Sequence, residues 1–150
     1  MDRDIKRLAI LGSTGSIGRQ TLDVVRSFPR RFDVIGLGGG SNAALLAQQA
    51  EEFKPKFIST ADGGGLPGAA PEPLSPSDMA SHPDVDLAII ATSGKAGLEP
   101  TLAAIEAHKQ IALATKEALV MAGGIIMARA ASHGVTIMPG KPLLVGDVGG

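Results

Sequence analysis

The chain has 150 residues, 44% of them apolar, with 14 basic against 15 acidic side chains and a formal charge of −1. That length suits one globular domain with a full core, and so even a charge balance favours no polyanion such as nucleic acid over any other partner, so none is expected. Tyr, Trp and Cys are absent, which excludes a disulfide framework, a thiolate zinc site and a cysteine nucleophile together.

In chain order, the charged start Met1-Asp2-Arg3-Asp4-Ile5-Lys6-Arg7 leads into an apolar run too short for a signal peptide. No later run reaches membrane-spanning length, so the chain reads as cytoplasmic with no membrane partner. Leu8 to Leu11 reads as a buried strand. Ile17, Thr21, Leu22, Val24, Val25 and Phe28 then recur at helical spacing until Pro29. Phe32 to Leu37 is a second strand, followed by a helix that Ser41 or Asn42 caps, with Leu45, Leu46 and Phe53 inward. Lys56 to Ser59 is a third strand. Residues 60–77, with four Gly and four Pro, read as an irregular mobile surface loop without function.

The second half repeats the alternation. Asp86 to Ala91 is a strand, and Leu98, Thr101, Leu102 and Ile105 line one helix face with Pro100 near the first turn. Gln110 to Ala114 is a strand, and a helix runs from about Lys116 to His133 across Gly123-Gly124. Gly134 supplies its left-handed stop before a last strand, Val135 to Met138. Strands alternating with helices predict an α/β domain with a doubly wound, Rossmann-type parallel sheet over residues 1–139. Residues 140–150 read as a Gly-rich tail: a linker, a cloning scar or a truncation.

Ligands of such a sheet sit at the carboxyl ends of its strands. The stretches so marked are Gly12 to Ile17, Gly38 to Asn42, Thr92 to Gly97 and Thr115 to Glu117. In the first, Gly12, Gly15 and Gly18 follow a strand and open a helix, where unpaired N–H groups and the helix dipole suit a pyrophosphate. Gly15 lets a ligand approach the backbone, Gly18 lets the helix pack on the strand, and Thr14 and Ser16 add hydroxyls. A Gly-rich turn with no ligand has the same pattern. The second strand ends in Gly36-Leu37-Gly38-Gly39-Gly40-Ser41-Asn42. No carboxylate stands there to hold a ribose 2′-hydroxyl, and Asp33 lies at the wrong end of the strand. The N–H groups, hydroxyl and amide suit a 2′-phosphate, which favours NADP over NAD, although the usual Arg is also missing.

Four segments carry a family resemblance. Gly12-Ser13-Thr14-Gly15-Ser16-Ile17-Gly18 with Thr21-Leu22-Asp23-Val24-Val25 resembles the opening of the 1-deoxy-D-xylulose 5-phosphate reductoisomerase family. Gly40-Ser41-Asn42 resembles its second cofactor loop, and Ala96 to Ile105 resembles its middle signature. Ile111 to Val120 resembles the segment that follows. The likeness runs from about Lys6 to Pro139 and covers only the N-terminal part of that enzyme. It implies rearrangement of 1-deoxy-D-xylulose 5-phosphate and NADPH-dependent reduction to 2-C-methyl-D-erythritol 4-phosphate, in the non-mevalonate route to isoprenoids. A divalent Mg²⁺ or Mn²⁺ then polarises the oxygens of the phosphosugar substrate.

By position, the resemblance assigns Gly12, Thr14, Gly15, Ser16, Ile17, Gly39, Gly40, Ser41, Asn42, Ser93, Thr115 and Glu117 to NADPH and Lys116 to substrate. Thr115 stands where the family usually has Asn, which removes the amide's donor–acceptor pair. After Pro139 the family continues into a Val-Asp-Ser-Glu-His segment of metal and substrate ligands. This sequence instead reads Gly140 to Gly150 with the lone carboxylate Asp147, and His82, His108 and His133 are scattered. The expectation is therefore a cofactor domain with no catalytic or metal residue of its own and no turnover by itself. The oligomeric state, a homodimer included, stays open. So do two other readings: an NADP-dependent reductase domain of another family, and a non-catalytic cofactor-binding fragment.

Overall fold

The computed structural model describes residues 5–66, 71–92, 94–114, 126–135 and 137–139. Strand β1 (Lys6–Leu11) contains Leu8, Ala9 and Ile10, all wholly buried, the continuous apolar run of a strand covered on both faces. Helix α1 (Ser16–Ser27) buries Gly18, Thr21, Leu22 and Val25, a stripe at i, i+3, i+4 and i+7. Phe28, expected on that inward face, is instead the C-cap and 39% exposed, because the chain turns away before its side chain reaches the core.

Strand β2 (Phe32–Gly38) is followed by helix α2 (Ala43–Phe53) and strand β3 (Phe57–Ser59). The irregular loop expected over 60–77 holds over 60–66 and is corrected in its second half. Strand β4 (Glu72–Pro73) pairs with β3, and helix α3 (Pro76–Ala80) starts at Ser75, whose hydroxyl accepts from the Asp78 N–H with Pro76 just inside. Composition hid a regular helix start: a Ser cap followed by a Pro whose missing N–H is not needed there. Strand β5 (Leu87–Ile90), helix α4 (Leu98–Glu106) and strand β6 (Gln110–Leu113) follow as expected within a residue or two, and a 3₁₀ turn over Gly94–Gly97, which the sequence pattern did not suggest, leads into α4.

Of the long helix expected from Lys116 to His133, the part over 126–132 is helical and 115–125 lie outside the described residues. Gly134 has φ +67°, the left-handed stop expected of it. Strand β7 (Ile137–Pro139) begins two residues later than the sequence pattern suggested. The tail 140–150 lies outside the described residues.

All pairings are parallel, in the order β4-β3-β2-β1-β5-β6-β7. Without the two-residue edge strand β4, this is the 3-2-1-4-5-6 order of the dinucleotide-binding sheet, with the reversal between β1 and β5. The period of two along β1 divides the core: Leu8 and Ile10 pack with Leu22, Leu37 and Leu46 on one face, Ala9 and Leu11 with Ile35, Met79 and Ile105 on the other. No helix among the described residues is long and apolar enough to cross a membrane.

Candidate functional site

The carboxyl end of β1 stops at Gly12 because the chain must turn against its neighbour. Gly12 has φ +87°, and a Cβ there would lie 2.7 Å from the carbonyl carbon and oxygen of Ala91, just after β5. Only glycine meets both demands. Gly18 is required for a second packing reason: its Cβ would come 2.1 Å from the Gly12 carbonyl oxygen and 2.6 Å from Ser13 Cα. These two glycines fasten loop, helix and strand together.

Gly15 differs from both. It is the N-cap of α1 with extended backbone, φ −79° and ψ 176°, and a Cβ would meet only the Gly12 oxygen at 3.5 Å, an ordinary contact. Gly40 has nothing within 4 Å of such a Cβ. Neither glycine answers to the protein's own packing, and Gly40 lines the groove at the strand ends.

The N–H groups divide in the same way. Gly12 and Ser13 both donate to the Gly38 carbonyl at 2.8 Å, which ties the end of β1 to the end of β2, and the Gly39 N–H donates to Ser59 at 3.0 Å. Among the described residues nothing accepts from the N–H groups of Thr14, Ser16, Ile17 or Gly18, and α1 has neither a side-chain cap nor an acidic residue in its first turn. Such a helix start presents unshared donors and a positive dipole end. The N–H groups of Gly40, Ser41 and Asn42 are likewise without partners among the described residues. The α2 cap falls on Asn42, one of the two residues expected: its Oδ1 accepts from the Leu45 N–H at 3.1 Å, which leaves its NH₂ free to donate.

The two loops are held side by side. A Cβ on Gly39 would lie 3.2 Å from Thr14 Cγ2 and from a Leu46 methyl. Ser13, wholly buried, donates from its hydroxyl to Gln49 Oε1 at 2.7 Å, and the Gln49 amide returns a bond to the Ser13 carbonyl at 2.9 Å. This closed pair couples the first glycine loop to the middle of α2 without leaving a buried polar group unpaired. Sequence reading missed Gln49. Its place in the series Leu46, Gln49, Ala50, Phe53 is the signal that could have found it, a polar residue on an inward helix face.

A cleft of about 270 Å³ lies across the switch point, walled by Gly12, Gly39, Gly40, Thr60, Thr92 and Ala96 among others. A second cavity of about 320 Å³ continues from it past Gly40, Thr60 and Ala61 towards Ser41 and Asp62. Gly12, Thr14, Gly15, Ser16, Ile17, Gly39, Gly40, Ser41 and Asn42 thus come together at one sheet end. Ser93, Thr115, Lys116 and Glu117 lie outside the described residues. Their chain neighbours Thr92 and Ala114 stand at the carboxyl ends of β5 and β6. Asp62 was missed: it follows β3, inside the segment read as a functionless loop. Among the described residues no three His, Asp or Glu side chains gather to hold a metal ion.

The family model described as 1-deoxy-D-xylulose 5-phosphate reductoisomerase matches residues 8–66 and 73–123. The reductoisomerase of Anaeromyxobacter dehalogenans is 47% identical over 145 residues, covering 90% of this chain and 37% of that protein. A DOX-P reductoisomerase crystallised with NADPH, fosmidomycin and magnesium superposes with a TM-score of 0.83 at 41% identity, over 90% of this chain and 36% of its own. The reductoisomerase of Zymomonas mobilis in complex with NADPH gives 0.80 at 35% identity, over 91% and 39%. The chain therefore spans a little over a third of the length of the relatives it matches. The match reaches through both glycine loops and the strands that carry them, and the chain belongs to the 1-deoxy-D-xylulose 5-phosphate reductoisomerase family.

Proposed function

We propose that this chain is the NADPH-binding part of an enzyme that rearranges 1-deoxy-D-xylulose 5-phosphate and reduces the product to 2-C-methyl-D-erythritol 4-phosphate. The observation that carries the reading is the pair of open glycines: Gly15 and Gly40 leave room that the fold itself does not need, beside N–H groups that have no acceptor among the described residues. A dinucleotide fits both features, with its pyrophosphate on the start of α1 and its 2′-phosphate on Gly40, Ser41 and Asn42. When bound, NADPH supplies a hydride from its nicotinamide.

The chain's own residues then bind and orient. Thr14 and Ser16 offer hydroxyls and Ile17 an N–H towards the pyrophosphate. Ser41 and the Asn42 amide donate to the 2′-phosphate, and Ser93, Thr115 and Glu117 are assigned to the nicotinamide half. Lys116 carries a positive charge suited to a phosphosugar. Thr115 offers one hydroxyl where the family's Asn has an amide, so one orienting bond to the nicotinamide side is lost.

No acidic metal-binding set occurs among the described residues. The metal ligands are assigned to the remaining two thirds of the relatives' length, along with most contacts to the substrate. The 150-residue polypeptide alone is therefore expected to give no turnover with substrate, NADPH and Mn²⁺ supplied together. Metal-dependent oxidation of NADPH by it would disprove that. The function itself is tested by titrating the chain with NADPH and with NADH. Saturable binding that favours NADPH supports the reading, and equal or absent binding of both rejects it.

A further inference from the structure

His108 and His133 stand 25 residues apart in sequence and meet at the amino ends of β6 and β7, the end of the sheet opposite the glycine loops. Their ring centroids are 5.6 Å apart and their planes are tilted by 49°. His108 lies in the turn after α4 with φ +60°, its N–H donating to the Ile105 carbonyl at 3.0 Å. Glycine or asparagine takes that left-handed position at lower cost, so the turn itself does not call for an imidazole. Arg129 Nη1 donates to Glu106 Oε2 at 3.2 Å and braces the same two segments. The fold itself therefore holds the two rings close.

Their partners fix where each ring carries its hydrogen. His108 Nδ1 lies 3.0 Å from the His133 carbonyl oxygen, and His133 Nδ1 lies 3.0 Å from the Arg129 carbonyl oxygen. A carbonyl oxygen only accepts, so in both rings Nδ1 bears the hydrogen and the neutral imidazole keeps its lone pair on Nε2. The Ser132 hydroxyl, 3.1 Å from His133 Nδ1, donates to the same Arg129 carbonyl at 2.9 Å and leaves that assignment unchanged. Among the described residues neither Nε2 has a hydrogen-bond partner. His82 is the reverse case: its Nδ1 accepts from the Asp84 N–H at 3.0 Å, which puts the hydrogen on Nε2.

A ring anchored through Nδ1–H on a backbone carbonyl, with Nε2 open, is the arrangement that orients imidazole ligands of metal ions. Two rings on one tetrahedral ion, with bonds of about 2.1 Å, set their centroids about 5 Å apart, which a small turn of either side chain reaches from the observed separation. His108 is exposed and His133 half-buried, so an ion arriving from solvent meets both. We infer that His108 and His133 form a two-histidine site for a divalent transition ion of the nickel, copper and zinc class, bound through both Nε2 atoms with water completing its shell. Imidazole ligands favour these ions over magnesium, which takes oxygen. The site ties the turn after α4 to the end of the helix before β7, and it does not depend on the cofactor reading above.

The test titrates the 150-residue chain, free of any affinity tag, with Ni²⁺ and with Mg²⁺ by calorimetry. One Ni²⁺ should bind per chain and raise the thermal midpoint, and Mg²⁺ at the same concentration should do neither. His108→Asn, which suits the left-handed turn, and His133→Gln should each weaken Ni²⁺ binding on the order of a hundredfold, since one imidazole loses the gain of a second ligand held beside it. His82→Gln should bind as the parent does. If the rings only cap the helix end, the first two variants lose stability without metal and the parent shows no response to Ni²⁺, which overturns the inference. Ni²⁺ binding that survives either substitution overturns it as well, as does equal affinity for Mg²⁺. Should a variant fail to fold, the histidine proton resonances of the parent decide: Ni²⁺ should broaden those of two rings and spare His82, and any other pattern rejects the site.

Discussion

Single glycines in the first loop separate packing from ligand binding. Gly15→Val places a β-branched side chain where the pyrophosphate is proposed to sit, in extended backbone that valine readily adopts and with no protein atom nearer than 3.5 Å to its Cβ. NADPH binding should be lost while the fold stays, with a stability cost of about 1 kcal/mol for a poor N-cap residue. Gly18→Ala should do the opposite kind of damage. Its Cβ would lie 2.1 Å from a backbone oxygen that cannot yield, so urea unfolding should show a loss of roughly 3 kcal/mol. If Gly15→Val binds NADPH as the parent does, GSTGSIG is only a turn. At the second loop, Ser41→Asp sets a carboxylate about 5 Å from a phosphate of charge near −2, a repulsion on the order of 2–6 kcal/mol for dielectrics between 80 and 20. NADH carries a free 2′-hydroxyl and escapes that penalty. Preference should move towards NADH by roughly tenfold or more in paired titrations even after screening by salt, and unchanged NADPH affinity in a folded variant would place the 2′-phosphate elsewhere.

Helix α2 carries two duties on one residue, and substitution can separate them. Asn42 caps the helix through Oδ1, and its NH₂ is the proposed donor to the 2′-phosphate. Asn42→Asp keeps an acceptor for the Leu45 N–H and gains favour from the helix dipole, so stability should hold or rise slightly. The same change replaces a donor by a negative charge beside the proposed 2′-phosphate, and NADPH affinity should fall. Asn42→Ala removes the cap and should cost about 1 kcal/mol in thermal or urea unfolding. Equal NADPH affinity in Asn42→Asp and the parent would show that Asn42 is a cap and nothing more.

Across the whole molecule, the two halves of the sheet meet at β1 and β5, and Arg7 fastens their starts. Its N–H donates to Asp86 Oδ2 at 2.9 Å and its guanidinium spans both carboxylate oxygens at 3.2 Å. Burial pushes the Asp86 carboxyl up, but the Arg7 side chain, the Arg7 N–H and the Arg7 charge together bring it below its ordinary value. A carboxyl whose pKa is lower in the folded state contributes stability that is complete above the unfolded value of about 4 and disappears as pH falls through the folded one. Stability of the parent should therefore decline from about pH 5 downward, and Asp86→Asn should be less stable at pH 7 with a flatter acid limb. Urea midpoints measured from pH 7 to pH 3 check this, and parallel curves for the two proteins would refute it.

The order of strands and helices apart from β4 and α3, the glycine loop after β1 and, to one of two residues, the cap on α2 were readable from sequence. They rest on local causes: apolar period, glycine at a forced turn, an amide before a helix. The missed elements depended on partners far along the chain. Glu72 and Leu74 become a strand edge only because Lys56 and Ile58 offer carbonyls to them, and Gln49 becomes a buried brace only because Ser13 lies 36 residues earlier and directly opposite. Asp62 looked like one charge among glycines until the turn carried it into the cavity beside Gly40 and Ser41. Sequence alone determined which residues could make each local conformation, because φ preference and apolar spacing act over a few residues. Only the tertiary structure decided which glycines the fold itself requires and which leave open space, because that difference lies in what stands across the space from each Cβ.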